Sequence, residues 1–275
     1  MKNRVKQIIE FIKSKKKGIL ITVEETTGSA PRNCDAFMLV DGEISIGTVG
    51  GGRLEYNATQ TAREILHKNP HELYVEKFRL GPELSQCCGG TMTLKFESLN
   101  SNLRKKLLCN LREIECENPN VLIFGAGHVG KALIEQMTML PLNCRLIDSR
   151  TEICLDGIYS DYCEVTAIPE KVVREAPKGS AFVIVTHDHA MDFLLVKEVL
   201  ARGDSRYLGM IGSKTKKNQL RSWLRKQGVA SLENLVTPIG GTITDIKLFD
   251  KRPETIAALT AAEILIAFQS NEKVV

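Results

Sequence analysis

The sequence predicts an α/β protein in two parts: an α+β domain over residues 1–100, a linker at 101–119, and a doubly wound parallel sheet over 120–275. Three observations predict it. From residue 120 the apolar runs VLIFG, CRLID, CEVTA, AFVIVT and YLGMI alternate with helix-capable segments, as parallel strands do when crossover helices cover both faces. Before residue 100 the strands are separated by glycine-rich turns, which is hairpin logic. Between the two lies the charged stretch SNLRKKLLCNLREIECE, closed by Asn118-Pro119-Asn120, where proline ends any helix.

Each element has its own reason. Val5, Ile8, Ile9 and Ile12 fall at helical spacing, so the first segment reads as an amphipathic helix and not a signal peptide. The lysines at 13 and 15–17 suit the solvated, dipole-favoured end of that helix before Gly18. GILITVEET is the first strand. AFMLV and ISIGTV flank Asp41-Gly42, a tight-turn dipeptide. LEYNATQTAREILHK carries Leu54, Ala58, Ala62, Ile65 and Leu66 on one side and reads as a helix. LYVEKFRL and TMTLKFESL are strands joined by GPELSQCCGG. In the second part, helices begin near Val129, Pro169 and Ala190, another opens at Gly212-Ser213, and the last, PETIAALTAAEILIAF, has Pro253 in its first turn.

Composition narrows the function classes. The 275 residues are 43% hydrophobic and 25% charged, enough apolar material for two ordinary cores. The net charge of +4 is scattered and aromatics are only 5%, a poor footprint for nucleic acid. No apolar run reaches the length of a membrane span. The eight cysteines form no C-x-x-C pair, and reduced thiols in a cytoplasmic protein fit a chain with this much core. A homodimer is the expectation from base rates.

VLIFGAGHVGKAL places Gly125, Gly127 and Gly130 between an apolar strand and a helix. Gly125 permits the sharp turn, Gly127 lets a phosphate approach the backbone, and Gly130 lets helix and strand pack closely. The helix start then favours an anion, with His128 inside the loop as either a phosphate contact or a solvent-facing filler. This is the Rossmann-like pattern. Asp148 ends the next strand at the offset expected of a ribose-binding carboxylate, which favours NAD over NADP if the ligand is a dinucleotide. Arg150, two residues on, softens that preference.

Further candidates surround this loop. His187, Asp188, His189 and Asp192 follow the strand AFVIVT, at the edge where such sheets bind ligands. They could touch a ligand or, given further donors, a metal, while Asp188 could simply cap a helix. Ser213 and Lys214 open a helix whose first turn also holds Lys216 and Lys217. That charge opposes the helix dipole unless an anion binds there. In the first part, TTGSAPRNCD offers Ser29, Arg32 and Cys34, and GTVGGGRLE sets Gly50 and Gly51 before a helix with Glu55 in its first turn. Its amides form an anion nest. Glu55 is a general base, a ligand contact, or a plain dipole-stabilising residue. Cys87 and Cys88 sit in the glycine-rich turn QCCGG, a setting for reactive thiolates more than for core.

TTGSAPR, GTVGGGRLE, QCCGG, FGAGHVG, THDHAMD, GMIGSKTKK, TPIG and PETIAALTAAEI, in that order, resemble the xanthine dehydrogenase accessory proteins of the XdhC/CoxI type. The resemblance covers nearly the whole chain. It departs at Gly241, where a bulky residue is expected, and at Arg252, where threonine is commoner. The resemblance implies an N-terminal XdhC/CoxI domain and a C-terminal Rossmann-like domain. It implies a molybdenum-cofactor chaperone that binds molybdopterin, supports its sulfuration with a cysteine desulfurase, and delivers it to xanthine dehydrogenase or a related molybdenum hydroxylase. Under it, Glu55, Cys87 and Cys88 are cofactor contacts. Two other readings stay open: an NAD-dependent oxidoreductase, though no Tyr-x-x-x-Lys accompanies the loop, and a non-catalytic nucleotide-binding scaffold.

Overall fold

The computed structural model of the chain describes residues 2–14, 16–28, 36–68, 73–80, 90–154, 159–229, 232, 234–242 and 250–269. They form two compact units, Lys2–Ile114 and Glu115–Val275.

The first unit is built on five antiparallel strands in the order β3-β2-β1-β5-β4. These are β1 (Ile19–Gly28), β2 (Phe37–Val40), β3 (Ser45–Gly47), β4 (Tyr74–Leu80) and β5 (Gly90–Ser98). Side chains alternate between faces along a strand, and both faces here are apolar. Ile19, Ile21, Val23, Met38 and Val40 meet Leu54, Ala58 and Ala62 of helix α2 (Gly52–Lys68). On the other face Leu20 and Leu39 meet Ile8, Phe11 and Ile12 of α1 (Lys2–Lys13), and Leu107 and Leu111 of α3 (Ser101–Glu117). Most of the helix-capable stretch 101–119 expected as linker is thus a helix, with Leu107 and Leu111 packed on this unit. Arg104 fastens it by donating through Nη1 to the Ile12 carbonyl at 2.5 Å and through Nε to the Leu99 carbonyl at 3.2 Å.

The second unit is a six-stranded sheet in the order β11-β10-β9-β6-β7-β8, every pairing parallel. The strands are β6 (Asn120–Phe124), β7 (Asn143–Asp148), β8 (Cys163–Val165), β9 (Ala181–Ile184), β10 (Tyr207–Met210) and β11 (Leu235–Val236). Counted from the first strand this is the order 3-2-1-4-5-6 of dinucleotide-binding folds. One face, with Val121, Ile123, Leu146 and Val183, is covered by α4 (His128–Met137) and α9 (Pro253–Gln269). The other, with Leu122, Phe124, Ile147, Phe182 and Ile184, is covered by α6 (Pro169–Glu175), α7 (His189–Arg202) and α8 (Lys214–Lys226). A short helix α5 (Thr151–Cys154) follows β7. The predicted mixed α/β architecture, with a Rossmann-like second half, is the observed one.

Two details of this unit were not expected. Cys154 and Cys163 form a disulfide, which corrects the reading of every cysteine as a reduced thiol. The chain leaves β7, turns through α5 and returns into β8, bringing the two Cα atoms to 5.4 Å, inside the range a bridge spans. Glu263 of α9 is buried. It accepts from Tyr207 Oη at 2.7 Å, Gly240 N at 2.9 Å and Thr242 N at 2.8 Å. Burial beside that carboxylate pushes the Tyr207 phenol well above its ordinary value.

Candidate functional site

The sheet order reverses between β6 and β9. Ligands of open α/β sheets lie there, beyond the carboxyl ends of the strands. A cleft of about 130 Å³ occupies that place. Its walls include Gly125 after β6, Asp148 at the end of β7 with Ser149 after it, and Thr186, His187 and Asp188 after β9. Pro169, Met191 and Leu195 give it an apolar floor, which motif reading alone did not identify. Met191 and Leu195 are one turn apart on α7, a pair that an i, i+4 search of that helix would have found.

The glycines behave differently from one another. Gly125 has φ +112°, and a Cβ there would lie 2.5 Å from the Val185 carbonyl oxygen. A Cβ on Gly130 would lie 1.8 Å from the Gly125 carbonyl oxygen. Both are demanded by the close crossing of β6, α4 and β9. Gly127 is the N-cap of α4, and a Cβ there would meet nothing within 4 Å. No side chain caps α4, so its first amides have no intrahelical partner. His128 opens the helix with an exposed side chain.

Asp148 sits under this loop, 6% exposed. Oδ2 accepts from Ala126 N at 2.7 Å and from Arg150 Nη2 at 2.8 Å. Oδ1 accepts from Arg150 N at 3.0 Å and from Arg150 Nε at 2.9 Å. Burial would raise this carboxyl, but the bonds from Arg150 and Ala126 outweigh it and hold the pKa at about 2. An ionised carboxylate has about four acceptor sites, and all are used. The expected ribose acceptor is therefore committed within the protein, and the preference for NAD drawn from it does not follow.

The residues after β9 divide into two roles. Asp188 caps α7, accepting from Ala190 N at 2.8 Å. Asp192 is fully buried and paired with Lys216 Nζ, and it accepts from Thr186 Oγ1 at 2.6 Å. Lys216 also donates to the Ile211 carbonyl at 3.1 Å. With both carboxylates engaged, His187 and His189 are left as exposed side chains. Among the described residues no cluster of three or more His, Cys, Asp or Glu could hold a metal.

At the two other predicted anion sites, side chains of the protein itself take backbone amides. At α8, Ser213 is its own N-cap, accepting from Lys216 N at 3.3 Å, and Lys216 is turned inward. Lys214 is exposed. In the first unit the turn before α2 points its amides at Glu55. Glu55 Oε1 accepts from Val49 N at 3.1 Å, Gly50 N at 3.4 Å, Gly51 N at 2.9 Å and the Thr48 hydroxyl. The nest exists, but the carboxylate of Glu55 fills it. Cys87, Cys88 and Arg32 lie outside the described residues. The start of α4 beside the cleft is thus the candidate anion site that its own side chains leave open.

Residues 121–264 match the family model of the XdhC Rossmann domain, and residues 11–78 that of the XdhC and CoxI family. A relative in Escherichia coli (strain K12), described as uncharacterized protein YqeB, is 25% identical over 258 residues, 88% of this chain. The chain spans 42% of that protein's length. A solved structure described as a xanthine dehydrogenase (BH1974) from Bacillus halodurans matches with a TM-score of 0.78 at 17% identity, covering 98% of this chain and 97% of that one. At that identity the likeness shows the fold. Among the described residues no helix is long and apolar enough to cross a membrane.

Proposed function

This chain belongs to the XdhC family, and we propose that it is a maturation factor for xanthine dehydrogenase or a related molybdenum hydroxylase. In this reading it holds the molybdenum cofactor, supports cofactor sulfuration with a cysteine desulfurase, and delivers the product to the client as a cytoplasmic homodimer. It is a carrier and not the catalyst of the client's reaction.

One observation carries the reading. The cleft at the strand-order reversal has a small apolar floor, and one of its walls is Gly125, the first residue of the loop that leads into the uncapped start of α4. Its volume of about 130 Å³ is below the ~300–1,000 Å³ of pockets that enclose a whole ligand. It suits the gripping of one end of a larger molecule. The phosphate end of a pterin cofactor fits: Gly127 leaves the approach open and the α4 amides face an anion. When bound, the cofactor would supply a metal with exchangeable sulfur and oxygen ligands. Glu55, and Cys87 and Cys88, which lie outside the described residues, are proposed as further cofactor contacts because the family resemblance implies them.

The NAD-dependent oxidoreductase reading draws on the same sheet order. It is weakened because the ribose-binding carboxylate is spent on Arg150 and Ala126.

The test is mass spectrometry of the protein purified from a host with active cofactor synthesis. A pterin at near one equivalent, lost in the Cys87→Ala plus Cys88→Ala variant together with client activation, is the expected result. Absence of pterin, with client activation unchanged in that variant, would overturn the proposal.

A further inference from the structure

We infer that the Asp148–Arg150 pair makes the cleft select a phosphate monoester and refuse an unphosphorylated ribose. The inference rests on the cleft beside Gly125 being a ligand site, as proposed above, and it names the chemical group that the site reads.

The usual rule for this fold gives the carboxylate after the second strand to the ribose hydroxyls, and an arginine nearby to a 2′-phosphate. Here both residues are present and joined. Asp148 lines the cleft, and its four acceptor positions are taken by Ala126 N and by Arg150 N, Nε and Nη2. A ribose hydroxyl could bond to it only by displacing a bidentate, charge-assisted pair, the strong kind of hydrogen bond. The carboxylate is also only 3% exposed at its side chain. Asp148 is therefore a positioning residue for the guanidinium.

Arg150 is in the opposite condition. Its side chain is 29% exposed. Nε and Nη2 each use one N–H on Asp148, and Nη1 donates to no described residue. A guanidinium has five N–H donors in a planar fork, so three remain. A phosphate oxygen set matches that fork, and arginine is the residue that recognises phosphate through it. The loop before α4 meets the same carboxylate, since Ala126 N and Arg150 Nη2 share Asp148 Oδ2, and the uncapped α4 start adds donors that favour an anion. The carboxylate's own charge does not repel the ligand in full, because Arg150 and the Ala126 N–H already oppose it.

Two sources carry this group: the 2′-phosphate of a nicotinamide dinucleotide and the terminal phosphate of a pterin. Isothermal titration of the full chain distinguishes them with two matched pairs, NADPH against NADH, and a 6-substituted pterin phosphate against the same pterin after phosphatase treatment. In at least one pair the phosphorylated member should bind ten-fold tighter or more. Arg150→Ala should erase that difference and, with Asp148 freed, strengthen NADH binding. Arg150→Gln, which keeps the length of the side chain, is the second variant, and unchanged circular dichroism shows that both are folded. Equal or tighter binding of the unphosphorylated members, discrimination unaltered in both variants, or no binding of any of the four overturns the inference. Discrimination in the dinucleotide pair alone supports the inference while counting against the pterin-carrier reading. Pterin found in the purified protein, with no discrimination in either pair, leaves that reading standing and overturns this inference.

Discussion

Two glycine turns in this molecule start from the same chemistry and end in opposite states. The turn at 49–51 presents backbone amides before α2, and the turn at 125–127 presents them before α4. In the first, the Glu55 carboxylate occupies the amides of Val49, Gly50 and Gly51. In the second, Asp148 takes only Ala126 N, and no side chain caps the helix. The difference is where the carboxylate is anchored. Glu55 belongs to the first turn of the same helix, so it folds back on its own turn. Asp148 comes from the neighbouring strand and reaches the loop from beneath. A filled turn stabilises its own unit, and an open turn keeps its donors for something else.

The largest expected effect probes why the second turn can stay open. Gly130→Ala puts a Cβ 1.8 Å from the Gly125 carbonyl oxygen, a backbone atom that cannot swing away. Overpacking of this kind costs about 3 kcal/mol or more. For a unit of this size that is a fall of roughly 6–12 °C in melting temperature, read by differential scanning calorimetry. An unchanged melting temperature would mean that the β6–α4 crossing is looser than the geometry shows. The open loop would then not be held by close packing.

Glu55→Ala should have a middling effect and turns the filled site into an open one. Losing the acceptor of three amides costs about 1–3 kcal/mol. The vacated nest should then take phosphate from solution, so added phosphate raises the melting temperature of Glu55→Ala by more than it raises that of the wild type. If phosphate shifts both proteins alike, Glu55 is not what closes this turn, and the contrast with the α4 start disappears.

These outcomes depend on features of unequal legibility. The strands β6, β9 and β10 could be read directly, since a strand buried on both faces is a continuous apolar run, while β7 and the half-exposed β8 were read from shorter apolar runs. Gly125, Gly130 and Asp148 could be read from spacing, because the fold fixes their offsets. Strand β11 has two residues, too few to form a pattern. The packing of α3 was hidden because only Leu107 and Leu111 of its seventeen residues are buried, leaving a charged surface that resembles a linker. The fates of Arg150, Lys216 and Glu55 were hidden for a different reason. Each is a long side chain whose partner is chosen by reach in three dimensions. Lys216 lies in a basic run, and only the fold reveals that Asp192 is buried beside it. Spacing identifies where a charge is attached to the chain, not what it is already bound to.

The smallest effect on stability belongs to the residue that should matter most to binding. Gly127 has φ −75° and ψ −171°, extended geometry open to any residue, and its added Cβ meets nothing within 4 Å. Gly127→Ala should therefore change stability by about 1 kcal/mol or less, the modest difference between glycine and alanine at an N-cap. The space that the methyl enters is the space through which a phosphate approaches the α4 amides. Binding of the phosphorylated ligand in calorimetric titration should fall ten-fold or more while the melting temperature stays within a few degrees. Gly130→Ala and Gly127→Ala thus separate the two demands placed on one loop, close packing behind it and open approach in front. If Gly127→Ala retains full affinity, the ligand does not come to the helix start. The open turn would then be, like the one Glu55 fills, only a way of folding.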